Sequence, residues 1–319
     1  MALLDAYDSA AAPATAFAAT DPESRWITEF LDGFSVETST GAAAKIDSFA
    51  AHLPPGTRVF IACLPGQDLG AIVATARRLS GEGLVPVPHL PARSLPGEAA
   101  LDAYLARLTG EAGVTDVLVI GGGVERPVGS FDSSMQVIES GLLDKHGIRR
   151  IGVAGHPEGN RDIGSAGLHQ AMLEKNAYAA RTGLDLHIVT QFAFDAQALV
   201  NWDKHLTVQG NRLPIHIGLA GPASLKSLLH YAALCGIGNS VNVLRRRALS
   251  LARLTTVSAP DGVVRDLARY RATDPDARIT RAHFYTFGGF KRAADWLSRA
   301  RAGDFRLDDH GGFTVDTAV

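Results

Sequence analysis

The chain is 319 residues long, 46% hydrophobic, with a formal charge of −2. That length supplies apolar material for a large core, and near-neutral charge gives no electrostatic case for nucleic acid or a membrane surface. Two cysteines without paired spacing, Cys63 and Cys235, argue against a disulfide framework or zinc knuckle.

Residues 1–30 read as an Ala/Asp/Ser/Thr-rich arm leading into a helix near Trp26–Leu31. Asp5 and Asp8 stand where a secretory signal has its basic region, and no apolar run approaches the roughly 20 residues that span a bilayer. The expectation is a soluble cytoplasmic protein. Residues 31–319 read as one domain in which strands and helices alternate. Phe34–Glu37 precedes an amphipathic segment at Ala42–Leu53, Arg58–Cys63 precedes Leu69–Leu79, Leu84–Leu90 precedes Glu98–Leu108, and Asp116–Gly121 precedes Ser133–Lys145. The second half repeats the pattern: Arg150–Gly155 with Ala166–Arg181, Leu186–Phe192 with Ala196–Leu206, Ile215–Gly221 with Leu225–Leu234, and Ile279–Phe287 with Phe290–Ala302. Gly83, Gly113, Gly147, Gly183, Gly210 and Gly236 stand where helix C-terminal glycines belong.

Eight strands alternating with eight helices predict an α/β fold of the closed (β/α)₈ TIM-barrel kind. A doubly wound sheet is the runner-up, but it usually lacks eight regular units, and no GxGxxG follows the first strand. Extra helical material at Ser240–Thr273, before the last strand, is expected to lie outside the barrel or to lid one end.

Barrel enzymes work at the C-terminal ends of their strands. Those positions here are Glu37, Cys63, His89, Gly121–Gly123, His156 with Glu158, Gln191, Gly218–Gly221 and Tyr285–Phe287. Metal ligation lacks the carboxylate cluster it needs, and a serine nucleophile lacks its GxSxG elbow. Glu37 directly follows an apolar strand, where a charge needs a reason. Gln191 offers a donor and an acceptor on one side chain, which suits a heterocycle's edge. Three consecutive glycines let backbone approach a flat ligand or phosphate, although they also suit a plain turn. His89 taken alone reads as a hydrogen-bonded core histidine, Cys63 as packing, and Arg245-Arg246-Arg247 as a solvated helix face.

GVAGHPEGN at 152–160, LEK at 173–175, TQFAFD at 190–195, PHL at 88–90, FSVE at 34–37 and HFYTF at 283–287 resemble, in order, motifs of the methylenetetrahydrofolate reductase family, flavin-containing (β/α)₈ barrels. The resemblance spreads over nearly the whole chain after the arm. It implies Glu37 as general acid. It implies Gln191, Phe192, Leu225 and Tyr285 as folate contacts, with Gln191 also meeting nicotinamide. It further implies that FAD is held by His89, His156, Glu158, Asn160 and Lys175, the lysine reaching the phosphates. Gly121, Gly122 and Gly123 replace the family's Arg-Gly-Asp at the fourth strand. The missing charge is expected from Lys175 with Arg161, and Ser130, Phe131 and Asp132 are expected against the adenosine. Two other departures are Glu37-Thr38-Ser39-Thr40 for the family's Glu-Phe-Phe-Pro-Pro, and Gly289 for an arginine after the last strand.

The activity implied is interconversion of 5,10-methylenetetrahydrofolate and 5-methyltetrahydrofolate, with NAD(P)H as electron partner, in a possible homo-oligomer. A general acid near neutral pH needs a raised pKa, expected for Glu37 from burial. The alternatives are a flavin-independent or partner-dependent folate reductase, and a non-catalytic folate-binding subunit.

Overall fold

Eight parallel strands close into a barrel in the order β1-β8-β7-β6-β5-β4-β3-β2. In the computed structural model, which describes residues 21–160, 162–234 and 257–315, these are β1 Ser35–Ser39, β2 Arg58–Ala62, β3 Val85–Pro91, β4 Asp116–Ile120, β5 Arg150–Gly155, β6 Asp185–Ala193, β7 Ile215–Ala220 and β8 Ile279–Tyr285. The (β/α)₈ expectation holds. Strand alternation divides the side chains into two sets. Val36, Val59, Ile61, Val117, Val119, Ile151, Val153, Ile217 and Phe284 join the main core between barrel and helices. Phe60, Val87, Leu118 and Val189 form a separate cluster inside the barrel. This inner apolar layer seals the barrel below its C-terminal mouth.

Most helices stand where periodicity placed them. They are α1 Pro22–Leu31, α2 Thr40–Ala43, α3 Leu69–Gly81, α4 Glu98–Ala112, α5 Ser134–Glu139, α6 Leu142–Lys145, α7 Gly164–Thr182, α8 Ala196–Val208, α9 Leu225–Leu234, α10 Asp261–Thr273 and α11 Phe290–Ala302. The helix expected over Ala42–Leu53 is instead the single turn α2 followed by a tied loop. The carboxylate of Glu82 accepts the Phe49 and Ala50 amides, and Arg78 donates to the Ala43, Ile46 and Asp47 carbonyls. Phe49 and Leu53 are buried all the same. The segment Ser133–Lys145 breaks at Gly141, whose φ of 73° suits glycine.

Of the extra helical material, α10 is described and packs outside the barrel, with Glu23 of α1 pairing Arg265 at 2.6 Å. Residues 235–256, including Cys235, Gly236 and the Arg245–Arg247 run, lie outside the described residues, as does the 1–20 arm. A C-terminal hairpin, Phe305–Leu307 with Phe313–Val315, was not anticipated. Among the described residues no helix is long and apolar enough to cross a membrane.

The barrel's N-terminal end is polar. Arg58 pairs Asp116 at 2.8 Å, Arg150 pairs Asp185 at 2.6 Å, and the rings of His187 and His216 lie 4.2 Å apart above them. Neither ring nitrogen of His187 has a hydrogen-bond partner. Burial, helped by nearby Arg150, pushes His187 down to about 3, and burial likewise puts His216 well below the usual range. Both are therefore buried neutral, and below pH 6.5 the unfolded chain takes up protons that the folded one refuses. Stability should fall by up to about 1.4 kcal/mol per pH unit for each histidine as pH drops from 6.5 toward the folded values. Urea midpoints between pH 7 and 5 should show this slope, and His187→Leu should flatten it. An unchanged slope in that variant would refute the assignment.

Candidate active site at the barrel mouth

Ser35 and Glu37 on β1 and His283 and Tyr285 on β8 share strand-pair register, Ser35 opposite His283 and Glu37 opposite Tyr285. All four follow the inward phase of their strands. His89, on the inner face of β3, completes the group. Its Nε2 lies 3.3 Å from Glu37 Oε2, and His283 Nε2 lies 3.7 Å from the same oxygen. His283 Nδ1 is 2.8 Å from Ser35 Oγ. In the tautomer where the Ser35 hydroxyl donates to Nδ1, His283 turns Nε2–H toward the carboxylate. Phe60 floors the group, its ring 4.5 Å from His283 and 6.2 Å from His89. The Glu37 side chain keeps 18% of its surface open to solvent, while His283 has none.

The pKa expected for Glu37 is corrected by this geometry. Burial raises it, but the His283 and His89 imidazoles more than reverse that, holding the carboxyl down at about 2. Sequence showed the apolar neighbours Phe34 and Val36 and not the two imidazoles. Glu37 is an anion at neutral pH.

Gln191 and Phe192 end β6, where the strand carries a β-bulge. Val189 pairs with His216 and Phe192 with Gly218, so Thr190 and Gln191 together face Ile217 alone. Gln191 is half-buried. Phe192 is buried in a mouth cluster with Phe194, Ala220 and Leu225, distinct from the main core. Its ring lies 5.4 Å from Tyr285 and 4.8 Å from Phe287, and Phe287 stacks on Tyr231 at 4.5 Å. Phe287 holds a φ of 46°, a conformation few non-glycine residues adopt. The four residues expected to meet folate are thus all at this end of the barrel. Two of them, Phe192 and Leu225, are buried in each other's cluster.

A second feature, a cavity of about 590 Å³, lies against β4–β6 and their helices. That size is within the range of small-molecule sites. Gly121, Gly122, Asp132, His156, Asn160 and Lys175 line it, with Val153, Ile188, Trp202 and Leu206 as its apolar wall. α7 buries only Met172 and Lys175. Lys175 is 9% exposed and has no hydrogen-bond or ion-pair partner among the described residues. Burial lowers its pKa, and burial together with the Lys175 charge takes His156 down to about 4. Asn160 Oδ1 accepts the Asp162 and Ile163 amides at the entry to α7.

The remaining flavin candidates scatter. His89 belongs to the Glu37 group. Glu158, Gly123 and Ser130 do not line the cavity, and Asp132 pairs Arg93 at 3.5 Å. Phe131 is corrected to a packing residue: at 3% exposure its ring is in the main core. Arg161 lies outside the described residues. Cys63 is half-buried with its thiol pushed up by burial, as a packing cysteine is. Among the described residues no cluster of three or more His, Cys, Asp or Glu side chains is arranged to hold a metal ion.

Sequence reasoning passed over His283, Ser35 and Thr190, and it took Gly218 only as a strand-end position. His283 alone had a usable signal, since it stands two residues before Tyr285 on the inward phase.

An implied FAD is tested by Lys175. A buried ammonium with no partner among the described residues, on the same cavity as the Gly121–Gly122 backbone, fits a diphosphate. The residues present fit that part of the cofactor.

No protein-family model matches the chain. Among solved structures it is similar to an uncharacterised protein from Clostridium thermocellum that binds two copies of 5-methyl-5,6,7,8-tetrahydrofolic acid, at 12% identity over 86% of this chain and 96% of that one, with a TM-score of 0.47. It is similar also to a GH18 chitinase from Pseudoalteromonas aurantia, at 11% identity over 84% and 99% and a TM-score of 0.46. A family 18 chitinase from Crocus vernus gives 8% identity over 84% and 98%, again with a TM-score of 0.46. At these scores the likenesses speak for neither a ligand nor a chemistry.

Proposed function

We propose that this protein is an oxidoreductase of one-carbon-substituted tetrahydrofolates, interconverting the 5,10-methylene and 5-methyl forms with NAD(P)H as electron partner. The observation that carries the reading is the meeting of Glu37, His89 and His283 at the C-terminal mouth, on the motifs that resemble the reductase family. The methylene bridge must open to an iminium cation before it can accept hydride. An ionised Glu37 stabilises that cation, and the proton for the departing nitrogen passes from a His89 imidazolium through Glu37 Oε2, leaving that ring neutral and the carboxylate ionised. Gln191 meets the pterin's donor–acceptor edge, and Phe192 and Tyr285 border the ring.

Bound FAD would supply the hydride transfer step. Lys175 would neutralise its diphosphate, the Gly121–Gly122 backbone would approach it closely, and Asn160 and neutral His156 would add hydrogen bonds. A flavin spectrum in the purified protein, together with NAD(P)H oxidation dependent on methylenetetrahydrofolate, tests the reading. Turnover without flavin would favour direct nicotinamide chemistry, and folate binding without turnover a binding subunit. Lys175→Ala should weaken FAD roughly 10- to 100-fold, since hydrogen bonds to charged groups contribute about 1.5–3 kcal/mol. Fluorescence titration measures this directly. Equal dissociation constants for variant and wild type would remove the flavin from this cavity.

A further inference from the structure

The bulge on β6 is held by side chains that no ladder requires. Thr190 is fully buried, and its Oγ1 accepts the Gly218 amide at 2.7 Å while donating to the Gln191 carbonyl at 2.8 Å. The Tyr285 hydroxyl donates to the Thr190 carbonyl at 3.0 Å. Polar groups freed by the extra residue are thus taken up by Thr190 and Tyr285. Gly218 leaves the room: a Cβ there would stand 2.4 Å from the Thr190 oxygen and 2.6 Å from the Gln191 oxygen, both backbone atoms.

The bulge also shifts the alternation by one. Val189 faces inward, and a regular strand would next turn Gln191 inward and Phe192 out toward the helices. With the extra residue, Phe192 enters the mouth cluster and Ala193 joins the outer core.

We propose that Thr190, Gly218 and Tyr285 form a positioning clamp that sets the β6 bulge, presenting the Gln191 amide beside the Phe192 ring to a planar heterocycle with a donor–acceptor edge. The proposal rests on the folate reading above. Its substrate class is a ring recognised along one polar edge and held against an aromatic face, as a pterin is.

The test measures 5-methyltetrahydrofolate binding by calorimetry on variants shown to be folded by circular dichroism. Thr190→Val keeps the shape and removes the Oγ1 bonds, and it should weaken folate about tenfold. Thr190→Ser retains the hydroxyl and should restore binding to within about threefold of wild type. Because the clamp acts through Gln191, Thr190→Val should add little further loss in a Gln191→Ala background. Wild-type affinity in Thr190→Val, failure of Thr190→Ser to rescue, or full additivity with Gln191→Ala would each overturn the clamp. Absence of folate binding by the unmodified protein would overturn the folate reading itself, and the clamp with it, before any substitution is made.

Discussion

Glu37→Gln is expected to leave the barrel and the flavin cavity intact and to lower folate turnover by about 10²–10⁴-fold, the usual contribution of a proton-transferring group. The amide matches the carboxyl in size, so Phe60 and the neighbouring strands need not move. It carries no charge to stabilise an iminium cation and no basic oxygen to relay a proton from His89. The carboxyl's depressed pKa fixes the expected pH dependence. A group lowered to about 2 stays ionised as pH falls from 8 to 5, so Glu37 itself contributes no limb there. Flavin reduction by NAD(P)H needs no proton delivered to a folate nitrogen and should survive in Glu37→Gln, as stopped-flow absorbance would show. Folate-linked turnover within a few-fold of wild type would sink the assignment of Glu37.

The barrel was legible because periodicity and punctuation agree along most of the chain. Arg150–Gly155 stands where its apolar run and closing glycine put it, and Gly83, Gly113, Gly147, Gly183 and Gly210 take positive φ at helix ends. Ala42–Leu53 failed because a helical pattern of apolar residues was overridden by Arg78 and Glu82, which capture that loop's backbone from another helix. Part of the mouth was legible for the same reason as the fold, since strand ends locate Glu37, His89, Gln191 and Tyr285. Their chemistry was not. Glu37 takes its charge state from His89 and His283, which lie far along the chain. The bulge at Thr190–Gln191 leaves no mark on local hydrophobicity and shows only in pairing with β7. Lys175 drew attention through a resemblance, and the geometry adds that it is buried with no partner among the described residues.

A second large effect lies away from the mouth, at the base of the α8–α10 packing. Asp203 on α8 has no solvent exposure, and its Oδ2 accepts the Arg278 amide at 2.9 Å, the Ile279 amide at 3.3 Å and the Tyr270 hydroxyl at 3.0 Å. One oxygen therefore ties α10 to the first turn of β8, the strand that delivers His283 and Tyr285. Burial raises the Asp203 pKa against the pull of these donors, so its charge is held at a cost. Asp203→Ala would leave two backbone amides and a phenol without their acceptor. Each buried donor left unpaired costs about 1–3 kcal/mol, so for three of them a loss of at least about 3 kcal/mol is expected. Asp203→Asn keeps an oxygen for the amides and removes the buried charge, and it should fall within about 1 kcal/mol of wild type. The sign with pH follows from the raised pKa. Wild type pays for ionising Asp203 above the ordinary aspartate range and regains that cost as pH falls through the folded value, whereas the Asn variant shows no such gain. Urea midpoints for the three proteins, followed from pH 7 down into the acidic range, separate these outcomes. An Asp203→Ala midpoint equal to that of wild type would show that the β8 entry is held by something other than this carboxylate.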